Sequence, residues 1–328
     1  MKRPQEKFVH QMIYGILAGN KLHLSEIARS LKESITLKKT IDRLSKNLHA
    51  FDGKDSVMHN YLGLVRQQVK DDYAVIIIDN SDIVKPASTK LEALSEIRDG
   101  STGEITQGYL TIEAAVLSEK GKMPLPVYEK VFSAAEKGFI SETHENLCCL
   151  QSLTENFSSR CVRTLDRGFD ANEYYRYFLK HGERFVIRAK KNRNVIYGGQ
   201  TCNIMDVALR YKGAYRMDFK DKKGRTIRCK MSCIPVRLCE FPSRELVLAV
   251  GYISLATSVH KDSIFLAEIK ECSKRIYGMP QFVYYAIGYA LERVLSMSRS
   301  GISSFLPPRV KSQQITLSEY FKMADCAA

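Results

Sequence analysis

Hydrophobic residues recur at intervals of three and four along the first 70 residues, which is the spacing of one face of an α-helix. Polar residues, many of them basic, fill the positions between. The recurring apolar positions are Leu22, Leu24, Ile27, Leu31, Ile35, Leu37, Ile41, Leu44 and Leu48. The pattern therefore predicts a helical N-terminal region over residues 1–70.

The polar face of these predicted helices carries Lys38, Lys39 and Arg43. Two short amphipathic helices, one of them basic, are typical of a helix-turn-helix that lies against DNA. A small helical bundle whose basic face is only solvated fits the same pattern. The sequence leaves both interpretations open.

Strands are predicted from Tyr73 onward. Residues 74–78 are apolar at every position and rich in β-branched side chains, which predicts a strand buried on both faces that ends at Asp79. Two further strands are predicted over residues 109–117 and 125–132. Three sequential strands of this kind suit a meander.

Helices then alternate with strands, which is typical of a mixed α/β domain. A basic loop with Lys190, Lys191 and Arg193 follows the last of these strands. The predicted elements are a helix over 142–156, a strand over 160–165 that ends on Asp166, a helix opened by Asp170 and closed by Gly182, and a strand over 184–188.

The remaining residues divide into a strand-rich part and a helical part. Residues 200–250 are strand-like and basic, and helices are predicted over 263–277 and 280–300. We therefore expect a helical region over 1–70, an α/β core over 71–199, a β-rich insertion over 200–250 and a helical segment over 251–328.

Composition narrows the class of protein. The chain has 328 residues and a formal net charge of +14, which favours a polyanionic partner, and 45% hydrophobic residues exclude a disordered chain. Nine cysteines without a paired pattern indicate reduced thiols. No apolar run is long enough to cross a membrane, and the N-terminus lacks the apolar core of a secretory signal, so we expect a cytoplasmic location.

Two aspartates carry the candidate chemistry. Asp79 and Asp166 each end a predicted apolar strand. Carboxylates at the ends of neighbouring strands in a mixed sheet can together hold a divalent cation for phosphoryl transfer. Each aspartate alone also fits a simple turn or helix cap.

Three segments resemble the core of bacterial insertion-sequence transposases of the IS-four-type family, which are DDE enzymes. They are residues 76–82, the turn 166–169 with its following helix, and residues 185–190. The resemblance covers residues 60–250 in order and extends to the helices predicted after 251. It implies an RNase H-like mixed sheet flanked by helices, with an N-terminal helical DNA-binding region and a β-rich insertion.

The resemblance also implies a site and its partners. Asp79 and Asp166 match the first two metal ligands, with Mg²⁺ or Mn²⁺ as the cofactor. Beside them would lie Arg188, Lys190, Lys191 and Arg193, which fit either contacts to phosphate or a solvated run of charges. The implied partners are double-stranded DNA at transposon ends and targets and further copies of the chain on that DNA. The implied location is the cytoplasm, in association with the nucleoid.

The chain departs from the family at the third carboxylate. The family's pattern of Tyr, Arg, Glu and Lys on one helix has only a partial match here, around Tyr285 and Glu292, and the chain has no Trp. We infer an internal deletion near Val250 and Gly251, where a predicted strand runs straight into a predicted helix. Substitutes for the lost glutamate are Glu268, Glu271 and Glu292, or a residue of a partner chain.

Two functions follow from this departure. The first is an insertion-sequence transposase whose catalysis is impaired by loss of the third acidic residue. The second is a non-catalytic DNA-binding remnant that competes with the intact transposase for the ends of the element.

Overall fold

The computed structural model describes residues 2–69, 74–88, 90–117, 124–211, 213, 215–220, 226–253 and 259–268. Internal packing divides these residues into two units, one holding residues 2–64 and the other the described residues from 65 onward. No helix in the described ranges is both long and apolar enough to cross a membrane.

The first unit is helical, which confirms the prediction for this region. Phe8, Ile27, Ala28 and Leu44 form its buried core. Gly15 allows the first two helices to approach closely, because a Cβ at this position would lie 2.4 Å from Ile27 Cγ2. The helices are α1 (Arg3–Gly19), α2 (Leu24–Leu31), α3 (Leu37–His49) and α4 (Lys54–Gln68), the last of which runs past residue 64.

A polar network joins α1 and α3 to the connection between α2 and α3. The Arg43 guanidinium donates to both carboxylate oxygens of Glu33 at 2.7 Å and to Gln11 Oε1 at 2.8 Å. Gln11 and Thr40 also donate to the Glu33 carboxylate, at 2.9 and 3.2 Å. Burial acts to raise the pKa of Glu33, but hydrogen bonds and the positive charge of Arg43 outweigh it and lower that pKa below 4.5.

The second unit is built on one mixed sheet, so the prediction of a mixed α/β protein is confirmed. Its helices in the described residues, besides the end of α4, are α5 (Glu142–Asn156), α6 (Asn172–His181) and α7 (Ile204–Leu209). Its strands are β1 (Val75–Val84), β2 (Ser95–Arg98), β3 (Ile105–Leu117), β4 (Pro124–Phe132), β5 (Val162–Leu165), β6 (Arg184–Arg188), β7 (Asn194–Tyr197), β8 (Gln200–Asn203), β9 (Tyr215–Lys220), β10 (Thr226–Leu238), β11 (Phe241–Ile253) and β12 (Val259–Glu268).

β1 has partners on both edges. β3 pairs with it antiparallel and β5 pairs with it parallel, while β4 extends the antiparallel side and β6 extends the parallel side. The predicted meander is thus confirmed as β1, β3 and β4, with the short β2 added beside β3. Beyond β6 the sheet continues through β12, β11, β10, β7 and β8, and β9 pairs with β10.

Helices α5 and α6 pack on the same face of the sheet. The Asn80 side chain of β1 donates to the Glu142 carboxylate of α5 at 2.8 Å. On the same face, the Phe185 ring of β6 lies 5.1 and 5.7 Å from the rings of Phe178 and Tyr175 on α6. The predicted helix over 142–156 and strand over 184–188 are confirmed residue for residue, and Gly182 ends α6 with a positive φ of 64°.

Two boundaries in the core differ from the prediction. β1 does not end at Asp79 but continues to Val84, because β3 keeps pairing with it after β5 has ended. Helix α6 begins at Asn172 rather than at Asp170, because the Asp170 carboxylate is taken up by side-chain and backbone donors elsewhere in the fold.

The predictions after residue 250 are wrong where the structure describes them. Gly251 and its neighbours up to Ile253 continue β11, and residues 259–268 form β12, so there is no helix from Ser263 to Glu268. β12 fits between β11 and β6, where its backbone groups are paired on both edges. The strand-to-helix join from which a deletion near Val250 was inferred is therefore absent. Residues 254–258 and the predicted helix over 280–300 lie outside the described residues.

The strand-rich character of residues 200–250 is confirmed, although α7 lies within it. The segment does not form a separate sheet, since β10 and β11 join the core through β12. The sequence Lys222-Lys223-Gly224-Arg225 predicts a hairpin turn within this segment, and these residues lie outside the described ones.

The Glu33 network makes the first unit sensitive to one substitution. Glu33→Gln removes the charge that binds Arg43, and we expect the amides of α1 and α3 to lose about 1 kcal/mol of protection against hydrogen exchange at pH 7. Because the native pKa of Glu33 is lowered, its stabilisation is present above pH 4.5 and is lost as the pH falls through the native pKa. The difference in protection between the wild type and Glu33→Gln should therefore become smaller as the pH falls below 4.5.

Glu26→Gln is the matched control. Glu26 also forms ion pairs, with Lys21 and Arg29, but the side chains of these two partners are 60% and 55% exposed, so its loss should change protection little. Equal effects of the two substitutions would contradict the role given to Glu33.

Candidate functional site

Asp79 and Asp166 lie side by side in the sheet. The parallel pairing of β1 and β5 matches Ile77 with Thr164 and Ile78 with Leu165. Asp79 and Asp166 are the next residues on each chain, so they stand beside one another at a strand spacing of about 4.8 Å. The sequence prediction that these two carboxylates meet agrees with this register.

The surroundings of Asp79 change its acidity. Burial is the largest influence on Asp79, followed by the charge of Asp166, and together with Glu113 they raise its pKa from 3.8 to about 7. A hydrogen bond from the Asn80 backbone acts in the opposite direction but does not cancel them. Asp79 therefore stands in a partly buried, electronegative position that favours a bound cation or a proton.

The turn after β5 fixes Asp166. Its carboxylate Oδ1 accepts the backbone N–H of Gly168 at 2.6 Å and so caps the 3₁₀ turn Arg167–Phe169. A Cβ at Gly168 would lie 2.9 Å from the same oxygen, so a larger residue would displace the carboxylate. One oxygen of Asp166 is thus held by the backbone.

The sequence analysis missed two acidic residues that extend the row formed by Asp79 and Asp166. Antiparallel pairing places Glu113 of β3 directly opposite Asp79, and Glu129 of β4 directly opposite Glu113. Burial and then the charge of Glu129 raise the pKa of Glu113. A signal was present in the sequence, since Glu113 is a single carboxylate within the largely apolar stretch 112–117.

These acids do not by themselves enclose a metal. In the described ranges, no three His, Cys, Asp or Glu side chains come together in a way that could hold an ion. Magnesium is nevertheless commonly bound through one or two carboxylates together with substrate phosphates and water. The neighbouring carboxylates of Asp79 and Asp166, where burial and then the charge of Asp166 raise the pKa of Asp79, fit that mode of binding.

Of the three glutamates expected as substitutes for a third metal ligand, the structure describes Glu268. Glu268 is the last residue of β12 and pairs with Phe185, three residues before Arg188 on β6. The register of β5 and β6 places Arg188 next to Asp166. Three residues of strand span about 10 Å, so the backbone of Glu268 is displaced by about that distance along the strand direction from the aspartate pair. Glu271 and Glu292 lie outside the described residues.

The basic residues after β6 divide into two groups. By register Arg188 follows Ile187 and stands next to Asp166, and Lys190 and Lys191 are exposed just beyond it. Arg193 is different, because its guanidinium forms a 2.5 Å ion pair with Asp170 and only 12% of its side chain is exposed. The expected phosphate contact by Arg193 is therefore replaced by an internal one.

The basic residues of α3 divide in the same way. Lys38 and Lys39 are exposed at its start. The Arg43 guanidinium donates hydrogen bonds to Glu33 and Gln11, so it connects elements of the helical unit. The prediction of a DNA-binding surface on the first unit accordingly rests on the two lysines.

Comparison with protein-family models finds no match, and comparison with curated proteins finds none either. Among solved structures, the chain is similar to a piggyBac transposase synaptic complex with hairpin DNA at 13% identity and a TM-score of 0.42. That likeness covers 90% of this chain and 58% of the transposase chain, so the chain spans less than two thirds of that protein.

A second similar structure is endonuclease V from Ciona intestinalis in complex with DNA containing an inosine followed by a ribo-adenosine. The identity is 13% and the TM-score 0.27, over 76% of this chain and 100% of the endonuclease. At this identity and with TM-scores below 0.5, neither likeness assigns a family or a function to the chain.

The raised pKa of Asp79 predicts a dependence of stability on pH. The native carboxyl holds its proton up to about pH 7, whereas the unfolded one loses it near 3.8, so the protein should lose stability as the pH rises between these values. Asp79→Asn removes this loss. We expect the variant to exceed the wild type by a few kcal/mol at pH 8 and by little at pH 4.

Denaturant unfolding of both proteins from pH 4 to pH 8 measures the difference. Glu136→Gln, at an exposed position after β4, is the control and should follow the wild type. An Asp79→Asn variant that is no more stable than the wild type at pH 8 would show that burial and the neighbouring charges do not raise the pKa of Asp79.

Proposed function

We propose that this chain belongs by descent to the IS-four-type DDE transposases and cleaves and joins DNA strands at the ends of an insertion sequence. The observation that carries the proposal is the register that sets Asp79 beside Asp166, with a raised pKa at Asp79 and exposed lysines next to the pair. The net charge of +14 supports a nucleic acid as the partner.

The sheet order supports an RNase H-like core. Three antiparallel strands are followed by two strands parallel to the first, and α5 and α6 are the connecting helices. In this proposal the site lies on the first and fourth of these five strands, as the resemblance of the sequence implies.

Each part of the site has a role in the proposed reaction. Asp79 and Asp166 would hold a divalent cation, Mg²⁺ or Mn²⁺, and Lys190 and Lys191 would bind the DNA backbone near it. The bound cation would supply Lewis-acid activation of phosphate and water. The Asp166 carboxylate, one oxygen of which is held by the Gly168 N–H, and the partly buried Asp79 carboxylate would orient that cation.

The reaction would proceed in two balanced steps. Water attacks a phosphodiester at the end of the element, the bond to the 3′-oxygen breaks, and a 3′-hydroxyl and a 5′-phosphate are released. The 3′-hydroxyl then attacks a phosphodiester of the target, forming one phosphorus–oxygen bond as another breaks. No covalent bond to the protein forms in either step.

A second function is favoured by one observation. In the described residues no third acidic, histidine or cysteine side chain completes a metal site with the aspartates. A chain with this site would keep its DNA-binding surfaces and lack the chemistry. It would then compete with an intact transposase for DNA ends, alone or in association with other copies on the DNA.

Nicking of a labelled duplex with the element's terminal sequence separates the two functions. We expect nicking in Mg²⁺ or Mn²⁺ by the wild type and a loss of at least 100-fold with Asp79→Asn or Asp166→Asn, because each removes a ligand charge. Glu136→Gln is the matched acidic control on an exposed loop.

The outcomes discriminate clearly. Binding without nicking at any metal concentration supports the competitor. Nicking that persists in both aspartate variants contradicts the assigned site, and absence of both nicking and salt-dependent binding contradicts a role on DNA altogether.

A further inference from the structure

A buried carboxylate that the proposed chemistry does not use lies next to the site. Asp170 follows the 3₁₀ turn after Asp166 and is only 2% exposed. Its Oδ1 accepts the Tyr175 hydroxyl at 2.7 Å, and its Oδ2 accepts the backbone N–H of Lys190 at 2.6 Å. Both oxygens are thus bound, one to α6 and the other to the loop after β6.

Arg193 completes the link from the loop side. Its guanidinium forms the ion pair with Asp170 and donates to the Asp170 backbone carbonyl and to Asn172 Oδ1, each at 3.1 Å. The same guanidinium lies 5.1 Å from the centre of the Tyr175 ring. The side chains of Asp170 and Arg193 therefore connect the loop after β5 with the loop after β6.

Each of the two loops carries residues of the proposed site, and Asp79 on β1 supplies the other carboxylate. The first loop, residues 166–171, holds Asp166. The second loop, residues 189–193, holds Lys190 and Lys191, which are exposed although the backbone of Lys190 is bound to Asp170. Backbone hydrogen bonds from Ala189 to Ile264 and from Ile204 to Arg193 hold the two ends of the second loop, and the Asp170 carboxylate holds the backbone of Lys190 between them.

We propose that Asp170 and Arg193 are positioning residues that hold the Lys190–Lys191 backbone at a fixed place beside Asp166, so that the lysines bind the phosphates flanking the scissile bond. This inference rests on the proposed function and assigns its phosphate-binding loop. Asp170 acts through the Lys190 backbone and does not touch DNA itself.

The alternative is that the buried pair only stabilises the fold. Buried ion pairs contribute little net stability compared with apolar residues, although breaking one is costly. The backbone contact to Lys190 distinguishes the two roles, because it acts on the loop and not on the packing of α6.

The first test follows the loop without DNA. Hydrogen exchange of peptides covering residues 186–194 should show that the Lys190 amide is protected in the wild type and exchanges at least 10-fold faster in Asp170→Asn. The substitution replaces the carboxylate by a weaker, neutral acceptor and removes the charge that attracts Arg193. Tyr175→Phe is the matched control, since it removes a hydrogen bond to the same carboxylate and leaves the loop attached. It should keep the protection.

The second test measures the salt dependence of binding to the terminal duplex. Each phosphate contact adds about 0.9 to the slope of log K against log salt. We expect Lys190→Gln with Lys191→Gln to lower the slope by about 1.8, Asp170→Asn to lower it by 1 to 2, and the combined variant to lower it no further than the lysine pair alone. Tyr175→Phe should retain the wild-type slope.

Arg193→Lys is the second variant if Asp170→Asn does not fold. It keeps the charge but cannot make all three contacts of the guanidinium, so it should also lower the slope. A lysine pair that lowers the slope while Asp170→Asn and Arg193→Lys keep it would overturn the inference and leave the proposed function standing. Wild-type binding without salt dependence would overturn both.

Discussion

The site depends on the unequal lengths of two neighbouring strands. β5 ends at Leu165, whereas β1 runs on to Val84 with β3 as its remaining partner. Up to Ile78 the central strand is paired on both edges and its apolar side chains are buried, and at Asp79 the pairing with β5 ends and one edge opens. The two carboxylates meet at this opening, where the sheet can hold a polar ligand beside a well-packed core.

The Asp79 carboxylate lowers the stability of the fold when it is ionised, and the surrounding packing must offset that loss. Asp79, Asp166 and Glu113 crowd negative charge into a partly buried place, which raises the pKa of Asp79 to about 7. Groups that favour function in this way commonly destabilise the fold. Asp170 differs from Asp79, because its buried carboxylate is paired with the Arg193 guanidinium and accepts hydrogen bonds from the Tyr175 hydroxyl and the Lys190 backbone N–H.

Local patterns in the sequence predict much of this. Apolar runs predict β1 and β6, the helical period predicts the helices of the first unit, and the glycine after α6 predicts its end. The strand at β12 could not be found in this way, because Ile264, Leu266 and Ala267 fit either structure and only pairing with β6 and β11 decides between them. Glu113 was missed for a related reason: its place opposite Asp79 depends on register, which is set by partners distant in the chain.

The central claim is that Asp79 and Asp166 form one cation-binding pair. Carbon-13 NMR of labelled aspartate carboxyls, with Mn²⁺ as a paramagnetic probe, tests it most directly. We predict that Asp79 titrates near pH 7 and that substoichiometric Mn²⁺ broadens Asp79 and Asp166 together, with recovery when Mg²⁺ is added in excess. Titration of Asp79 near 3.8, with no selective broadening of the two resonances, would contradict the account.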